Sequence, residues 1–280
     1  MAGAKKIFGA GAGSISVFFG TIAPLFLLAT AARTAFSAED VSTPARVAVV
    51  YNGKGACKEG CASAIARIAR QVGLKVRYIN SKTLTAESLQ GASVYIQPGG
   101  DALDVLKVVS PEQLELIREF IADGGSYLGI CAGAFLADTY VDDDKKVLGL
   151  GILPGETIDY HSPRPDPQPP EPNEEILPTT WIEGLLPGIA GPRQMYFSEG
   201  TGFRLRPASA SLEVLSLYAD GTPSAVRFVH GAGKVLLTGV HPEAPQKWRN
   251  PNKDRTQPLV DSDGLDYDIA RAMLGWLIQP

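Results

Sequence analysis

Three residues of this sequence have the types and the spacing that nucleophilic catalysis needs, and Cys131 is the first of them. It lies in Gly129-Ile-Cys-Ala-Gly133, where an apolar, strand-like run meets a helix-like one. Flanking glycines permit a strained strand-to-helix turn, and a thiol at a helix N-terminus is shifted toward the thiolate by the helix dipole. Cys131 is therefore predicted to attack a carbonyl carbon. The alternative is a small core residue at the end of a buried strand.

The proton acceptor for this thiol is predicted in His241-Pro242-Glu243, which directly follows the apolar run 235–240. Residues two apart in an extended segment face the same way, so the Glu243 carboxylate can bind one ring nitrogen of His241. The other ring nitrogen is then left to take the thiol proton. The spacing predicts a triad of Cys131, His241 and Glu243.

A third segment, Pro98-Gly99-Gly100, ends another predicted strand. Glycine there lets a backbone N–H approach a substrate oxygen, and the amides of Gly100 and Ala132 are predicted to form an oxyanion hole. Gly99 is assigned to substrate binding. Asp101, in the next position, either caps the following helix or contacts the substrate, and the same alternatives apply to Asp104.

The elements that must position these residues alternate between strand and helix. Apolar, β-branched runs predict strands, and capping signals such as Ser110-Pro-Glu-Gln113 predict helix starts. A looser region from 141 to 209 contains a proline-rich surface loop, and β structure then returns. The predicted strands are 46–51, 74–79, 93–96, 126–130, 211–218, 225–229 and 235–240, and the main helices are 57–73, 111–121 and 267–277. We predict an α/β fold with a mainly parallel sheet, helices on both faces and an antiparallel β extension.

The N-terminal segment carries a separate signal. Lys5 and Lys6 precede 26 residues, 7–32, without a charge, and small residues that suit a cleavage site follow. Residues 1–38 are therefore predicted to be a signal peptide, with an uncleaved membrane anchor as the competing interpretation. In both cases the domain, residues 45–280, is exported to the periplasm or secreted, and it contacts a membrane only if the segment stays attached.

Composition limits the partners and the metal chemistry. The formal net charge is −4, too small to predict binding to nucleic acid or to an anionic membrane.

In an exported protein Cys57 and Cys61 are predicted to form a local disulfide if the first helical turn is irregular, as Gly60 would permit. Two free or metal-binding thiols are the alternative, but the pair supplies only two of four ligands. No metal and no cofactor are predicted.

The three motifs together carry a family resemblance. Pro98-Gly-Gly100, Gly129-Ile-Cys-Ala-Gly133 and Gly239-Val-His-Pro-Glu243 resemble the oxyanion strand, the nucleophile elbow and the His-Pro-Glu motif of class I glutamine amidotransferase-like domains. The resemblance implies a flavodoxin-like fold. The segments 127–135, 196–199 and 237–243 are similar to the N-terminal domain of fungal-type biotin-protein ligases, which implies a pocket carboxylate at Glu199.

Two departures from the family pattern bear on substrate. Glutamine-hydrolysing members continue the elbow as Cys-Leu-Gly-x-Gln, and the last position is Phe135 here, so glutamine specificity is not predicted although Phe135 is assigned to substrate binding. No segment resembles the biotin- and ATP-binding loop, so biotin ligation is not predicted either. Two functions stay open: a thiol hydrolase or amidase acting on a small amide or peptide-like substrate, and a non-enzymatic binding module.

Export is testable without a known substrate. A reporter fused after residue 60 is expected outside the cytoplasm, because the charged n-region and apolar h-region lie upstream. Activities of an export-dependent and a cytoplasm-dependent reporter, fused at the same position, measure the outcome. Fusions that stay in the cytoplasm would contradict export and the reason for expecting the disulfide.

Overall fold

The computed structural model describes residues 46–142, 144–162, 174–206, 211–252 and 256–279. The predicted export segment, 1–38, and most of the proline-rich loop lie outside these residues. Among the described helices, none combines the length and the apolar character needed to cross a bilayer.

Strands outnumber helices in the described chain. The strands are β1 Val47–Tyr51, β2 Lys75–Ile79, β3 Ala92–Gln97, β4 Ser126–Ile130, β5 Tyr140–Asp142, β6 Val147–Leu148, β7 Gly155–Asp159, β8 Glu175–Leu186, β9 Ile189–Phe197, β10 Thr201–Leu205, β11 Glu213–Tyr218, β12 Pro223–His230 and β13 Gly233–Thr238. The helices are α1 Cys61–Gln71, α2 Ala86–Leu89, α3 Ala102–Leu106, α4 Pro111–Ala122, α5 Ala132–Leu136, α6 Gln246–Arg249 and α7 Tyr267–Ile278.

One sheet of nine strands runs through the molecule in the order β2-β1-β3-β4-β13-β12-β11-β8-β9. The first five strands pair in parallel, and β12, β11, β8 and β9 extend the sheet by antiparallel pairing. This arrangement confirms the predicted fold class. Because β3, β4 and β13 are parallel neighbours, their carboxyl ends meet at one edge, where α/β sheets bind ligands.

Helices cover both faces of the sheet. Alternate residues of β1 point to opposite sides, with Ala48 in one apolar core and Val49 in the other. The first core includes Ile65 of α1 and Met273 of α7, and the second includes Ile117 of α4. A strand buried on both faces needs a continuous apolar run, which is why β1 was readable from the sequence.

The antiparallel extension is larger than predicted, because β8 and β9 form a long hairpin within the region that was interpreted as loose. Leu177, Thr179 and Trp181 are buried at alternate positions, which is the strand period, but the exposed Pro178 between them interrupts the apolar pattern.

The helix predicted over 57–73 begins later, at Cys61. Gly60 has φ of 100°, a left-handed conformation that ends the preceding turn before the helix starts. Cys57 therefore lies outside the helix.

The turn that carries Cys131 rests on tight backbone packing. A Cβ atom at Gly133 would lie 2.2 Å from the carbonyl oxygen of Gln97 in β3, and one at Gly129 would lie 2.5 Å from the carbonyl oxygen of Gly133. The Tyr127 hydroxyl donates a 2.7 Å hydrogen bond to that same Gly133 oxygen. Both glycines are therefore required by neighbouring backbone.

We expect Gly133→Ala to destabilise the protein by about 1–3 kcal/mol, because the added methyl group meets backbone that cannot rotate away. Gly275→Ala in α7 is the matched control, since a Cβ there meets nothing within 4 Å. Alanine favours the helix, so the control should be neutral or stabilised by up to about 1 kcal/mol. Urea unfolding monitored by circular dichroism gives both free energies, and equal stability of the two variants would contradict the packing account.

Candidate active site

Cys131 has a backbone conformation that non-glycine residues rarely adopt. It follows β4, precedes α5 and has φ of 50° and ψ of −107°. Its amide donates a 2.8 Å hydrogen bond to Thr238 of β13, which ties the turn to the strand that precedes His241. Such a backbone costs about 1–3 kcal/mol and persists where the surroundings enforce it, which is common at functional sites.

His241 and Glu243 meet as their spacing predicts. His241 Nδ1 lies 2.9 Å from Glu243 Oε1, and the two side chains are 3% and 0% exposed. The His241 amide donates to the carbonyl oxygen of Tyr196, 2.9 Å away, so β9 also holds this segment. The carboxylate orients the ring and leaves Nε2 for a different partner.

The electrostatics of the pair favour a protonated ring. Burial by itself lowers the pKa of His241, but the charge of Glu243, the hydrogen bond to Glu243 and the neighbouring Cys131 outweigh it and raise the pKa to about 10. An imidazolium beside a cysteine stabilises the thiolate form. The raised pKa of His241 therefore favours a positive charge next to Cys131.

The thiol and the imidazole are near one another but not ideally aligned. Cys131 Sγ donates to the carbonyl oxygen of Ser198, 3.6 Å away, and His241 Nε2 has no well-aligned hydrogen-bond partner among the described residues. Catalytic hydrogen bonds are often loose without substrate. Rotation of the thiol away from Ser198 toward Nε2 would let its proton pass to a neutral His241 ring, which forms a thiolate–imidazolium pair.

The predicted oxyanion residues end neighbouring strands. Ala132 is the first residue of α5, so its N–H has no acceptor within the helix. Gly100 has φ of 144°, and a Cβ there would lie 1.9 Å from the carbonyl oxygen of Gly55, while a Cβ at Gly99 would lie 2.5 Å from the His241 ring. Neighbouring groups of the protein therefore leave no room for a side chain at Gly99 or Gly100. That their backbone binds a substrate stays a prediction.

The other residues assigned to substrate lie around this edge. Asp101 is the N-cap of α3, and its Oδ1 accepts from the Asp104 amide at 2.9 Å, so the capping alternative is realised. Phe135 is half-buried on α5. Glu199 is exposed, with φ of 45°, in the turn after β9. Their contacts with substrate stay predictions.

Cys57 and Cys61 are joined by a disulfide in the structure. Cys61 Sγ, a His241 ring nitrogen and a Glu243 oxygen all lie within 4.8 Å of one another, which is a spacing that could hold a metal ion. The Cys61 sulfur is already bonded to Cys57, so it offers no thiolate to a metal. The oxidised protein therefore does not fit a metal at this place.

An aromatic wall around His241 was not predicted from the sequence. The rings of Tyr196 and Trp248 lie edge-on to His241, each with its centroid 5.8 Å away. Behind them the buried Arg249 lies over Tyr196, donates to the Ala244 carbonyl at 3.0 Å and pairs with Asp261. The segment 196–199 was noted for its family resemblance, but no sequence pattern predicted that Trp248 or Arg249 would lie next to His241.

A second aromatic group lies beside Cys131. Tyr160 and Tyr218 stack with centroids 3.6 Å apart, and Phe197 packs edge-on to both rings. Burial, the neighbouring Tyr160 and then Cys131 raise the pKa of Tyr218 well above its ordinary value. Phe197 and Tyr218 of the antiparallel extension, together with Tyr160 after β7, thus supply a largely apolar surrounding for Cys131.

The arrangement of strands and helices is that of the glutamine amidotransferase-like α/β fold, as the sequence predicted. A solved glutamine amidotransferase superposes with a TM-score of 0.53 at 22% identity, over 70% of this chain and 90% of that one. Residues 47–148 match the family described as Biotin-protein ligase, N terminal.

Two curated relatives agree with this placement. The biotin-protein ligase of Schizosaccharomyces pombe is 25% identical over 212 residues, 70% of this chain and 33% of the ligase. The imidazole glycerol phosphate synthase subunit HisH of Bacillus subtilis is 34% identical over 76 residues, 26% of this chain and 35% of the subunit. The chain thus matches about a third of the length of each relative.

The raised pKa of His241 predicts how stability depends on pH. Protonation of the ring contributes stability that is complete below its unfolded pKa, near 6.5, and is lost as the pH rises toward about 10. Glu243→Gln removes the charge that raises this pKa, so the variant should lose less stability between pH 7 and pH 10 than the unsubstituted protein. Urea unfolding at several pH values measures the difference.

The matched control is His230→Gln, because burial lowers the pKa of that histidine. It should leave the pH 7–10 profile unchanged. If Glu243→Gln and the unsubstituted protein lose stability in parallel across this range, the charged pair is not formed.

Proposed function

We propose that the protein is an exported cysteine hydrolase or amidase that cleaves a small amide or peptide-like substrate through an acyl-enzyme on Cys131. The observation that carries the proposal is the buried His241–Glu243 pair beside a cysteine in a strained elbow. A degenerate site would have no need to enforce that backbone or to bury that pair.

The chemistry follows from these positions. The Cys131 proton rests on His241, so Cys131 Sγ attacks the substrate carbonyl carbon as a thiolate, and Glu243 stabilises the imidazolium. The amides of Gly100 and Ala132 would donate hydrogen bonds to the developing oxyanion, where one donor is typically worth about 3–4 kcal/mol. His241 returns the proton to the leaving amine, and water activated by the same ring hydrolyses the thioester. No cofactor takes part.

Surrounding residues narrow the substrate class. Phe135 replaces the glutamine of glutamine-hydrolysing relatives, and apolar rings of Phe197, Tyr160 and Tyr218 surround the nucleophile. Phe135 removes an amide that would hold a glutamine side chain. These features favour an acyl group that is less polar than glutamine.

A non-enzymatic binding module is the second candidate. Cys131 is 4% exposed, and the Ser198 carbonyl accepts from its thiol, so the nucleophile is covered in this structure. A substrate must displace the Ser198 turn before reaction. A protein that only binds ligand has no such requirement.

Thiol reactivity separates the two candidates before a substrate is known. We expect iodoacetamide to alkylate Cys131 at pH 6 within about tenfold of its rate at pH 9, whereas an ordinary thiol of pKa about 8.5 falls roughly 200-fold. His241→Ala should restore the ordinary dependence, since the cation is removed. His230→Gln should not. A steep, ordinary profile in the unsubstituted protein would favour the binding module.

A panel of aminoacyl amides of 7-amino-4-methylcoumarin then tests turnover. Cys131→Ser should abolish release of the dye and leave the melting temperature nearly unchanged, because the two side chains are similar in size. His241→Ala should cost about as much activity as Cys131→Ser, because members of one catalytic unit are not additive. Glu243→Gln should cost less, because it removes orientation and charge and keeps the ring that carries the proton. Turnover by Cys131→Ser at the unsubstituted rate would disprove the thiol mechanism.

A further inference from the structure

The disulfide loop, residues Gly55–Cys61, touches both halves of the proposed active site. We propose that the Cys57–Cys61 disulfide is a positioning element, which holds the Gly99–Gly100 strand end and the His241 ring in place for Cys131. The inference rests on the proposed function. It predicts that the oxidised form is the competent one and that reduction impairs the site while the fold persists.

One side of the disulfide loop is paired with the predicted oxyanion strand end. The Cys57 amide donates to the Gly99 carbonyl at 3.0 Å, the Asp101 amide donates to the Gly55 carbonyl at 2.8 Å, and Ala56 forms an antiparallel bridge with Gly100. The loop and residues 99–101 therefore behave as a short two-stranded ribbon. Displacement of the loop would displace the Gly100 amide with it.

The other side of the loop contacts the histidine segment. Cys61 Sγ lies within 4.8 Å of ligand atoms on His241 and Glu243. A Cβ at Gly99 would lie 3.4 Å from this sulfur and 2.5 Å from His241 Cε1, so the sulfur, the ring and the Gly99 backbone surround one small space. The disulfide sulfur thus forms part of the wall that confines the imidazole.

A third set of contacts joins the loop to the aromatic wall. The Glu59 carbonyl accepts from Trp248 Nε1 at 3.3 Å and from Lys247 Nζ at 3.1 Å. Trp248 packs edge-on against His241. The loop therefore fixes the ring through Trp248 as well as through Cys61.

The disulfide ties the turn that contains Cys57 to the first residue of a well-buried helix. Cys61 is the first residue of α1 and is 3% exposed, and α1 buries seven of its eleven residues. Cys57, by contrast, lies in a turn outside the helix, and once the bond is broken only the hydrogen bonds of the loop and the packing of Cys57 hold it in place. Reduction should therefore loosen the loop while the buried face of α1 keeps the helix docked.

A phosphine reduces the Cys57–Cys61 disulfide in the test of this role. Tris(2-carboxyethyl)phosphine breaks the S–S bond, two protons and an oxygen come from water, and the products are two thiols and the phosphine oxide. Loss of the bond should leave His241 less confined beside Cys131. The thiolate form should then be less favoured at low pH.

The double variant Cys57→Ser/Cys61→Ser tests the positioning role. The sequence has three cysteines, so in both the oxidised protein and this variant Cys131 is the only free thiol. We expect the ratio of iodoacetamide alkylation rates at pH 6 and pH 9 to fall about tenfold in the variant, with circular dichroism unchanged. Ser63→Ala is the matched control, since it removes the 2.8 Å bond to Gly60 at the same helix start and keeps the disulfide.

The outcomes separate this inference from the proposed function. A flat profile in the oxidised protein and in the double variant would overturn the positioning role and leave the proposed function standing. A steep profile in the oxidised protein would overturn both. If the double variant does not fold, the phosphine-reduced protein is measured instead, with alkylation of the Cys131 peptide followed by mass spectrometry, and the same tenfold fall is expected.

Discussion

Burying an imidazolium together with a carboxylate costs free energy unless the two charges stay in contact. His241 and Glu243 stay 2.9 Å apart and nearly inaccessible to water, and the surrounding structure is arranged to keep them so. Glu243 Oε2 has no hydrogen-bond partner among the described residues, so the carboxylate directs its charge to the ring through its other oxygen. Burying a carboxylate with a single hydrogen-bond partner costs free energy of desolvation. In return, the carboxylate stabilises positive charge on the His241 ring.

Different parts of the chain confine this pair. Tyr196 comes from the antiparallel extension, Trp248 from α6, and the Cys61 sulfur from the start of α1. Arg249 holds the segment after Glu243 through the Ala244 carbonyl. The proposed catalytic residues follow strands of the parallel core of the sheet, while the side chains that surround them come from other elements.

The parallel core and its motifs could be predicted because they depend on local signals. An apolar run predicts a buried strand, glycines at 129 and 133 predict a tight elbow, and His-x-Glu after a strand predicts a facing pair. The hairpin of β8 and β9 could not be predicted, since Pro178 hides its alternation and its stability comes from pairing with β11. Trp248 and Arg249 carry no local signal, because only the tertiary fold brings them to His241.

Strand β9 delivers its last two residues to different places. Tyr196 packs against His241, and Phe197 packs against the Tyr160–Tyr218 stack beside Cys131. Neighbouring side chains in a strand point to opposite faces. The position of each ring in β9, odd or even, therefore decides whether it packs against His241 or against the Tyr160–Tyr218 stack. Lengthening the hairpin at its tip, Pro187-Gly188, preserves that parity, whereas losing one residue between Arg193 and Tyr196 would exchange the two faces. The hairpin can therefore vary in length at its tip, whereas the number of residues near its base is fixed by the contacts of Tyr196 and Phe197.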